Sequence, residues 1–219
     1  YAQFVRRAAQ FAHVLTDAGV TAGDRIVVQT AKLADVIALY AAAVQCGAVY
    51  LPLNTAYTRS ELRYFITDAA PAAVICVGAD ATDMATIGGD AAILTLNPDG
   101  SGTLPQAADN ASTTFATVPR AADDLAALLY TSGTTGRSKG AMMSHKNLLS
   151  NAAVLRELWQ ITADDRLIHA LPIFHTHGLF VAMNTALLAG ASVRFMAAFN
   201  RNQVLDELPQ ATLMMGVPT

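Results

Sequence analysis

Residues 130–140, YTSGTTGRSKG, combine several kinds of group that bind phosphate. Three glycines permit backbone conformations in which several N–H groups converge on one anion. Hydroxyl and cationic side chains add donors and positive charge, and they belong to Thr131, Ser132, Thr134, Thr135, Arg137 and Lys139. A solvated turn between two strands favours the same residue types. Their density in one short segment nevertheless predicts a phosphate-binding loop.

The segment is not a Walker A loop, which requires G-x-x-x-x-G-K-[ST] followed by a helix. Five residues after Gly133 stands Ser138 instead of glycine, and Lys139 is followed by Gly140. The next residues, 141–144, predict a strand, so no helix N-terminus lies directly behind the loop. The dinucleotide fingerprint G-x-G-x-x-G is absent from the sequence as well.

A second candidate segment, LPIFHTHG at residues 171–178, follows a predicted strand. It places an aromatic ring and two imidazoles at a strand end, where ligand sites of open α/β sheets tend to lie. Three histidines, His169, His175 and His177, also suggest zinc. No cysteine or carboxylate completes a tetrahedral site at the usual spacing, so we expect no zinc. For His169 we favour a packed side chain bonded to backbone carbonyls.

Alternating strands and helices must position both segments. Apolar runs predict strands at 25–30, 49–53, 72–77, 125–130, 141–144, 166–171, 191–196 and 212–217. Helical periodicity and capping signals predict helices at 4–15, 34–45, 58–68, 145–158, 179–188 and 200–208. Residues 97–120, rich in Pro, Gly, Ser, Asn and Asp, are interpreted as a surface excursion. The pattern predicts an α/β fold of layered βα sheets, parallel or mixed and covered on both faces.

Composition excludes several classes of function. The net charge of -3 and pI near 5.9 disfavour an electrostatic nucleic-acid footprint. No run approaches the ~20 apolar residues of a membrane span. Cys46 and Cys76 lie in apolar stretches, which favours buried thiols in a reducing compartment over a disulfide framework. We therefore expect a cytoplasmic protein.

The segment 130–140 resembles the signature phosphate loop of the adenylate-forming superfamily, YTSGTTGxPKG. That superfamily includes acyl- and aryl-CoA synthetases, peptide-synthetase adenylation domains and firefly luciferase. The match fails only at Ser138, where the family usually has proline; a fixed φ is lost there. Residues 171–178 resemble the family motif LPxFHxxG. Looser similarity at 23–29, 46–54 and 60–69 extends the resemblance over essentially the whole chain, which looks most like malonyl-CoA synthetases.

The resemblance implies two chemical steps: a carboxylate attacks the α-phosphorus of MgATP, and the resulting acyl-adenylate then reacts with the thiol of CoA. It implies that His175 lies at the acyl-substrate pocket. The implied nucleotide-binding residues are Thr131, Ser132, Gly133, Thr134, Thr135, Gly136, Arg137, Ser138 and Lys139. Malonate or methylmalonate is the implied acid, with another short-chain or aryl acid as the alternative. A homo-oligomer stays open.

Residues 1–219 are expected to form only part of the large N-terminal AMP-binding domain. In the superfamily the chain continues with a YGxTE motif, an aspartate for the ribose and a mobile C-terminal domain bearing a lysine. We expect that lid domain to be absent from this chain, and the chain alone to be inactive. A non-catalytic nucleotide-binding module and a phosphotransferase with an atypical loop are the remaining alternatives.

Overall fold

The computed structural model describes residues 1–131 and 138–217. The chain divides into two units, Tyr1–Ser144 and His145–Thr219. Each unit is an α/β layer with its own sheet. The six strands of the first unit are β1 (Arg25–Gln29), β2 (Val49–Pro52), β3 (Ala73–Cys76), β4 (Ala92–Thr95), β5 (Leu125–Thr131) and β6 (Lys139–Ser144).

The sheet of the first unit has the order β4-β3-β1-β2-β5-β6. Strands β1 to β5 run parallel, whereas β6 pairs antiparallel with β5. Because the first five strands share one direction, their carboxyl ends meet at the same edge of the sheet. Strand β5 therefore ends, and the antiparallel β6 begins, at that carboxyl edge, where ligand sites of α/β sheets lie.

Five helices accompany this sheet: α1 (Ala2–Asp17), α2 (Ala34–Cys46), α3 (Arg59–Ala69), α4 (Ala81–Gly88) and α5 (Thr103–Ala108), with a 3₁₀ turn at Gly78–Asp80. Helix α1 buries Ala8, Phe11, Ala12 and Leu15, the spacing that one helical face requires. Thr58 is the N-cap of α3, and the predicted capping box with Glu61 is present in both directions.

One core cluster of the first unit lies between the central strands and α3. Val27, Leu51 and Val74 come from three neighbouring strands and are fully buried. Phe65 and Ile66 of α3 pack against them. Burial of such side chains is the main force that fixes α3 on the sheet.

The second unit contains α6 (His145–Leu158), β7 (Arg166–His169), a π-helical segment (His177–Met183), α7 (Asn184–Ala189), β8 (Ser192–Phe195), α8 (Arg201–Glu207), a 3₁₀ turn (Leu208–Gln210) and β9 (Leu213–Met214). Its three strands are parallel in the order β8-β7-β9. Apolar side chains from strand and helix form its core at Ile161, Leu167, Ala182, Ala186 and Ala191.

The α/β class and the parallel and mixed sheets predicted from the sequence are confirmed. Three details differ. Helix α4 and strand β4 lie in residues 78–96, for which no element was predicted. The surface excursion at 97–120 contains α5, which buries Leu104 and Ala108. The single helix predicted at 179–188 is a π-helical segment followed by α7.

Candidate functional site

The hairpin of β5 and β6 positions the two ends of the predicted phosphate loop. Thr131, the last residue of β5, lies opposite Lys139, the first residue of β6, and Tyr130 lies opposite Gly140. Both Thr131 and Lys139 are exposed. A hydroxyl and an ammonium group therefore emerge side by side at the carboxyl edge of the sheet, where both can act as hydrogen-bond donors.

Six of the predicted nucleotide-binding residues cannot be placed. They are Ser132, Gly133, Thr134, Thr135, Gly136 and Arg137, which lie outside the described residues. Of the predicted set, Thr131, Ser138 and Lys139 are described. The geometry of the candidate site thus rests on these three residues and on the side chains around them.

Helix α3 holds the hairpin on both sides of the loop. The Tyr64 hydroxyl donates a hydrogen bond of 2.9 Å to the carbonyl oxygen of Ser138. The Tyr130 hydroxyl donates a short hydrogen bond to Oδ2 of Asp68. Tyr64 and Asp68 are four residues apart, so they share one face of the helix. One turn of α3 therefore contacts Tyr130, near the end of β5, and Ser138, the residue directly before β6.

An aromatic cluster, formed by Tyr57, Tyr64, Phe65 and Tyr130, underlies these contacts. The Phe65 ring centroid lies 4.5 Å from that of Tyr130 and 4.9 Å from that of Tyr57. The rings of Tyr64 and Tyr130 meet edge to face at 6.1 Å. Such pairs add stabilisation beyond their buried area, and the cluster fixes the base of the hairpin against α3.

The Tyr130 hydroxyl is kept protonated by its surroundings. Burial raises the pKa of Tyr130 well above its usual range, and the hydrogen bond to Asp68 raises it further. A protonated phenol can donate, whereas a phenolate cannot. At neutral pH Tyr130 is therefore the donor and Asp68 the acceptor in this hydrogen bond.

Gly140, the last glycine of the loop segment, lies close to the Leu128 side chain. A Cβ at this position would lie 2.9 Å from Cδ1 of Leu128 and 3.6 Å from Cε1 of Tyr130. Contacts under 3.0 Å force a neighbour to move. The Leu128 methyl group ends a flexible side chain, so a small rotation of that side chain would accommodate the added Cβ. Packing alone therefore does not require glycine at this position.

The second candidate segment belongs to the second unit. His175 is exposed, and its ring lies 4.6 Å from that of Phe174 between centroids. His177 is the first residue of the π-helical segment. Such segments occur frequently at functional sites. The structure thus presents the His175 imidazole at the start of an irregular helix, with an aromatic neighbour.

His169 has a structural role, as the sequence indicated. It is buried at the end of β7, and its Nε2 atom lies 2.8 Å from the Gly178 carbonyl oxygen. Because a carbonyl only accepts, Nε2 carries the hydrogen in this bond. The ring also stacks on Phe195 at 5.4 Å. His169 therefore ties β7 to the π-helical segment.

Gly178 is enclosed by the turn that carries His175. A Cβ at this position would lie 2.0 Å from the Pro172 carbonyl oxygen and 3.3 Å from the Leu171 Cβ. No side chain fits in that space, so glycine is required by close backbone approach. The motif glycine thus shapes the turn between β7 and the π-helical segment.

Residues 1–131 and 138–217 contain neither a metal-binding cluster nor a membrane-spanning helix. Within these ranges no group of three or more His, Cys, Asp or Glu side chains could hold a metal ion. No helix there is long and apolar enough to cross a membrane. Cys46 and Cys76 are free and buried, as predicted, and burial raises the pKa of the Cys76 thiol to about 11.

Comparison with known proteins places this geometry in a family. The family model for AMP-binding enzymes matches residues 1–219. A feruloyl-CoA synthase from Amycolatopsis sp. is 34% identical over the whole chain, which covers 43% of that protein. A mitochondrial malonate–CoA ligase from Mus musculus is 31% identical over 79% of the chain and 30% of its own length.

Among solved structures, the crystal structure of ATP-bound MatB from Rhodopseudomonas palustris aligns with a TM-score of 0.96 and 54% sequence identity. The alignment covers 99% of this chain and 43% of MatB. The chain therefore belongs to the AMP-binding enzyme family, the adenylate-forming enzymes. It spans less than half the length of the relatives it matches.

Proposed function

We propose that this chain is part of an AMP-forming acid–CoA ligase, which activates a carboxylic acid as its acyl-adenylate and transfers the acyl group to CoA. The observation that carries the proposal is the pairing of Thr131 with Lys139 at the mouth of the YTSGTTGRSKG loop. Membership of the AMP-binding enzyme family over residues 1–219 supports it. The crystallised relative MatB binds ATP, which supports a nucleotide at this loop.

The chemistry requires charge stabilisation more than a nucleophilic side chain. A carboxylate oxygen of the substrate attacks the α-phosphorus of ATP, and pyrophosphate leaves. Lys139 and the Thr131 hydroxyl are suited to hold the β- and γ-phosphates, together with donors of the loop between them. Positioned donors of this kind usually provide the largest contribution to such a reaction.

Magnesium fits this scheme as an ion that arrives with ATP. Mg²⁺ retains several waters and is commonly bound through substrate phosphates with one or two carboxylates. In the described ranges the chain offers no metal cluster of its own, so we assign Mg²⁺ no ligand there. When bound, it would neutralise charge on the phosphates.

We assign the acyl-substrate side of the reaction to the second unit. The exposed imidazole of His175, beside Phe174, offers a polar and an aromatic surface at the start of the π-helical segment. We propose that these side chains contact the acid. CoA would be the second substrate, because two of the relatives described above, a feruloyl-CoA synthase and a malonate–CoA ligase, are named for joining an acid to CoA.

For the acid we propose malonate or methylmalonate. The resemblance of the sequence to malonyl-CoA synthetases and the 31% identity to the malonate–CoA ligase from Mus musculus support a short dicarboxylate. A second carboxylate requires a cationic partner when it is buried. Arg156 is exposed, and Arg194 pairs with Glu207 at 2.6 Å, so neither suits that role. The partner is expected elsewhere in the full-length protein.

An aryl acid is the second candidate substrate. The feruloyl-CoA synthase from Amycolatopsis sp. is 34% identical over the whole chain, slightly more than the malonate–CoA ligase from Mus musculus. A direct competition separates the two candidates. The full-length protein is given malonate, methylmalonate, ferulate and a long-chain acid, and kcat/KM is measured for each. Preference for ferulate would exclude the dicarboxylate assignment and leave the ligase proposal standing.

The ligase proposal is tested by the products. Full-length protein should exchange pyrophosphate into ATP only when a carboxylic acid is present, and should form AMP and an acyl-CoA when CoA is added. A phosphotransferase would release ADP instead. A non-catalytic nucleotide-binding module would bind ATP with neither exchange nor product. Either result would contradict the proposal.

We also propose a cytoplasmic location, which the two free buried thiols support because thiols persist in reducing compartments. One relative is mitochondrial, so an organelle is the alternative. Fractionation of the source cells with antibodies to the protein distinguishes the two. The full-length protein's assembly state, monomer or homo-oligomer, is measured by light scattering.

A further inference from the structure

The structure assigns Tyr64 as a positioning residue for the phosphate loop: we propose that its hydroxyl orients the peptide between Ser138 and Lys139. The inference rests on the proposed function of residues 130–140 as a phosphate loop. It adds a residue that lies outside the loop segment, on helix α3, and that reaches the loop across 74 positions of the chain.

The hydrogen bond acts on one specific peptide unit. The Ser138 carbonyl, which accepts from Tyr64 at 2.9 Å, lies in the same planar peptide group as the Lys139 nitrogen. Holding the carbonyl therefore limits rotation of that plane. The direction in which the Lys139 backbone and side chain leave the loop is then restricted before any nucleotide binds.

Position 138 gives this bond a particular importance. Where the superfamily resembled by this sequence usually has proline, this chain has serine, which leaves φ of that residue unrestrained. The Tyr64 hydrogen bond restrains the same residue from the other side, at its carbonyl. We infer that the Tyr64 hydrogen bond restricts the backbone at Ser138, where most members of the superfamily have the ring of a proline to do so.

The support behind Tyr64 is rigid enough for this role. Helix α3 buries Leu62, Phe65 and Ile66, and its start is closed by the capping box at Thr58. A site residue held by packing keeps its geometry better than one on a free loop. The Tyr64 hydroxyl therefore has a fixed position, and its hydrogen bond positions the Ser138 carbonyl.

A second tether holds the opposite strand. Asp68, one helical turn after Tyr64, accepts the hydrogen bond from Tyr130, the residue before Thr131. The same face of α3 thus restrains both Thr131 and Lys139 through their neighbours. Preorganisation of both donors lowers the cost of binding and aligning the phosphates.

The test compares Tyr64→Phe with a matched control in the full-length protein. Tyr57→Phe removes another partly buried hydroxyl of the same aromatic cluster, and that hydroxyl makes neither bond to the hairpin. Acid-dependent pyrophosphate exchange is measured as kcat and KM for ATP, with the melting temperature alongside. We expect Tyr64→Phe to lower kcat/KM about tenfold, the effect of one hydrogen bond. Tyr57→Phe should leave it unchanged.

Introducing the proline that is usual in the superfamily at position 138 gives a measurement that a purely structural role of Tyr64 would not change. Ser138→Pro is made alone and together with Tyr64→Phe. If the tyrosine replaces the restraint of a proline, the loss caused by Tyr64→Phe should shrink by about threefold or more in the proline background, an interaction typical of contacting residues. Equal losses in both backgrounds would overturn the inference. The inference would also be overturned if the fall in activity matched a loss of folded protein, as judged from the melting temperature.

Lys139→Ala separates the two proposals. If that variant abolishes exchange while Tyr64→Phe behaves as wild type, the phosphate loop stands and the positioning role of Tyr64 is wrong. If Lys139→Ala exchanges normally, the phosphate-loop assignment itself is wrong. Loss in both, with rescue of Tyr64→Phe by Ser138→Pro, supports both.

Discussion

Thr131 and Lys139 lie directly opposite each other in the antiparallel ladder of β5 and β6. Their side chains therefore leave the sheet at its carboxyl edge as a matched pair of donors, one neutral and one cationic. The strand pairing of β5 and β6 fixes the distance between the backbones of Thr131 and Lys139, so the two side chains start from fixed neighbouring positions. A polyphosphate that binds one is within reach of the second.

Replacing Lys139 by alanine should slow adenylation by about 2–4 kcal/mol in the activation free energy, the range for losing a transition-state donor. Its side chain is exposed, so folding should be almost unaffected. Pyrophosphate exchange and thermal melting of the full-length protein check both parts. Lys146→Ala removes an exposed lysine of α6 and serves as the control. Equal kinetics for the two variants would remove Lys139 from the site.

Replacing Gly178 by alanine should destabilise the second unit by about 3 kcal/mol or more, since overpacking against backbone cannot be relieved by a rotamer change. The added Cβ would lie 2.0 Å from the Pro172 carbonyl oxygen. Urea unfolding measures the loss. Gly216→Ala is the matched control, because in the described part of the chain no heavy atom beyond its own neighbours lies within 4 Å of a Cβ there. A urea midpoint for Gly178→Ala equal to that of the wild-type protein would contradict the close packing of this turn.

Replacing Asp165 by asparagine should make stability less dependent on pH in the acid range. The Asp165 carboxylate accepts from the Thr162 backbone N–H and the Thr212 hydroxyl, both at 2.7 Å. These bonds hold the pKa of Asp165 below its usual range. Stabilisation from a lowered carboxyl pKa is present above the unfolded-state value, about 3.9, and is lost as pH falls through the folded value.

The difference in unfolding free energy between wild type and Asp165→Asn should therefore be largest near neutral pH and vanish in acid. Urea titrations over a series of pH values measure it. Asp164→Asn removes a carboxylate from the same turn that takes no part in these two bonds, and it serves as the matched control. A constant difference at all pH values would mean that the charge of Asp165 does not matter.

The purified full-length protein should contain no stoichiometric zinc, and its exchange reaction should require Mg²⁺. Among residues 1–131 and 138–217 no cluster of His, Cys, Asp or Glu could hold a metal, whereas ATP phosphates bind Mg²⁺ readily. Elemental analysis after dialysis measures the metal content. One zinc per chain that survives dialysis would show that the histidines bind metal after all.

Local signals in the sequence were sufficient for most elements. The spacing of Ala8, Phe11 and Leu15 defined α1, and Thr58 with Glu61 marked the start of α3. Both signals act within about one helical turn, so nearby residues decide them. The assignment of His169 to packing followed from its place in an apolar strand, and the bond to Gly178 explains it.

Elements with weak local signals were missed. Strand β4 lies at the edge of its sheet and is only partly buried, and α5 has Pro105 in its first turn, within a stretch of turn-forming residues. Both exist because neighbouring parts of the fold cover them: β4 adds to the edge of β3, and α5 packs on α1. The π-helical segment has apolar residues that suit an α-helix equally well, so periodicity could not separate the two.

The sequence by itself determined the family, the phosphate-loop motif and the alternation of strands and helices, because these depend on residue types at short spacing. Only the tertiary structure decided the strand order, the antiparallel partner of β5 and the contact of Tyr64 with Ser138. These relationships join residues far apart in the chain. They are selected by which arrangement buries the most apolar surface while pairing the backbone, and that competition involves a whole unit at once.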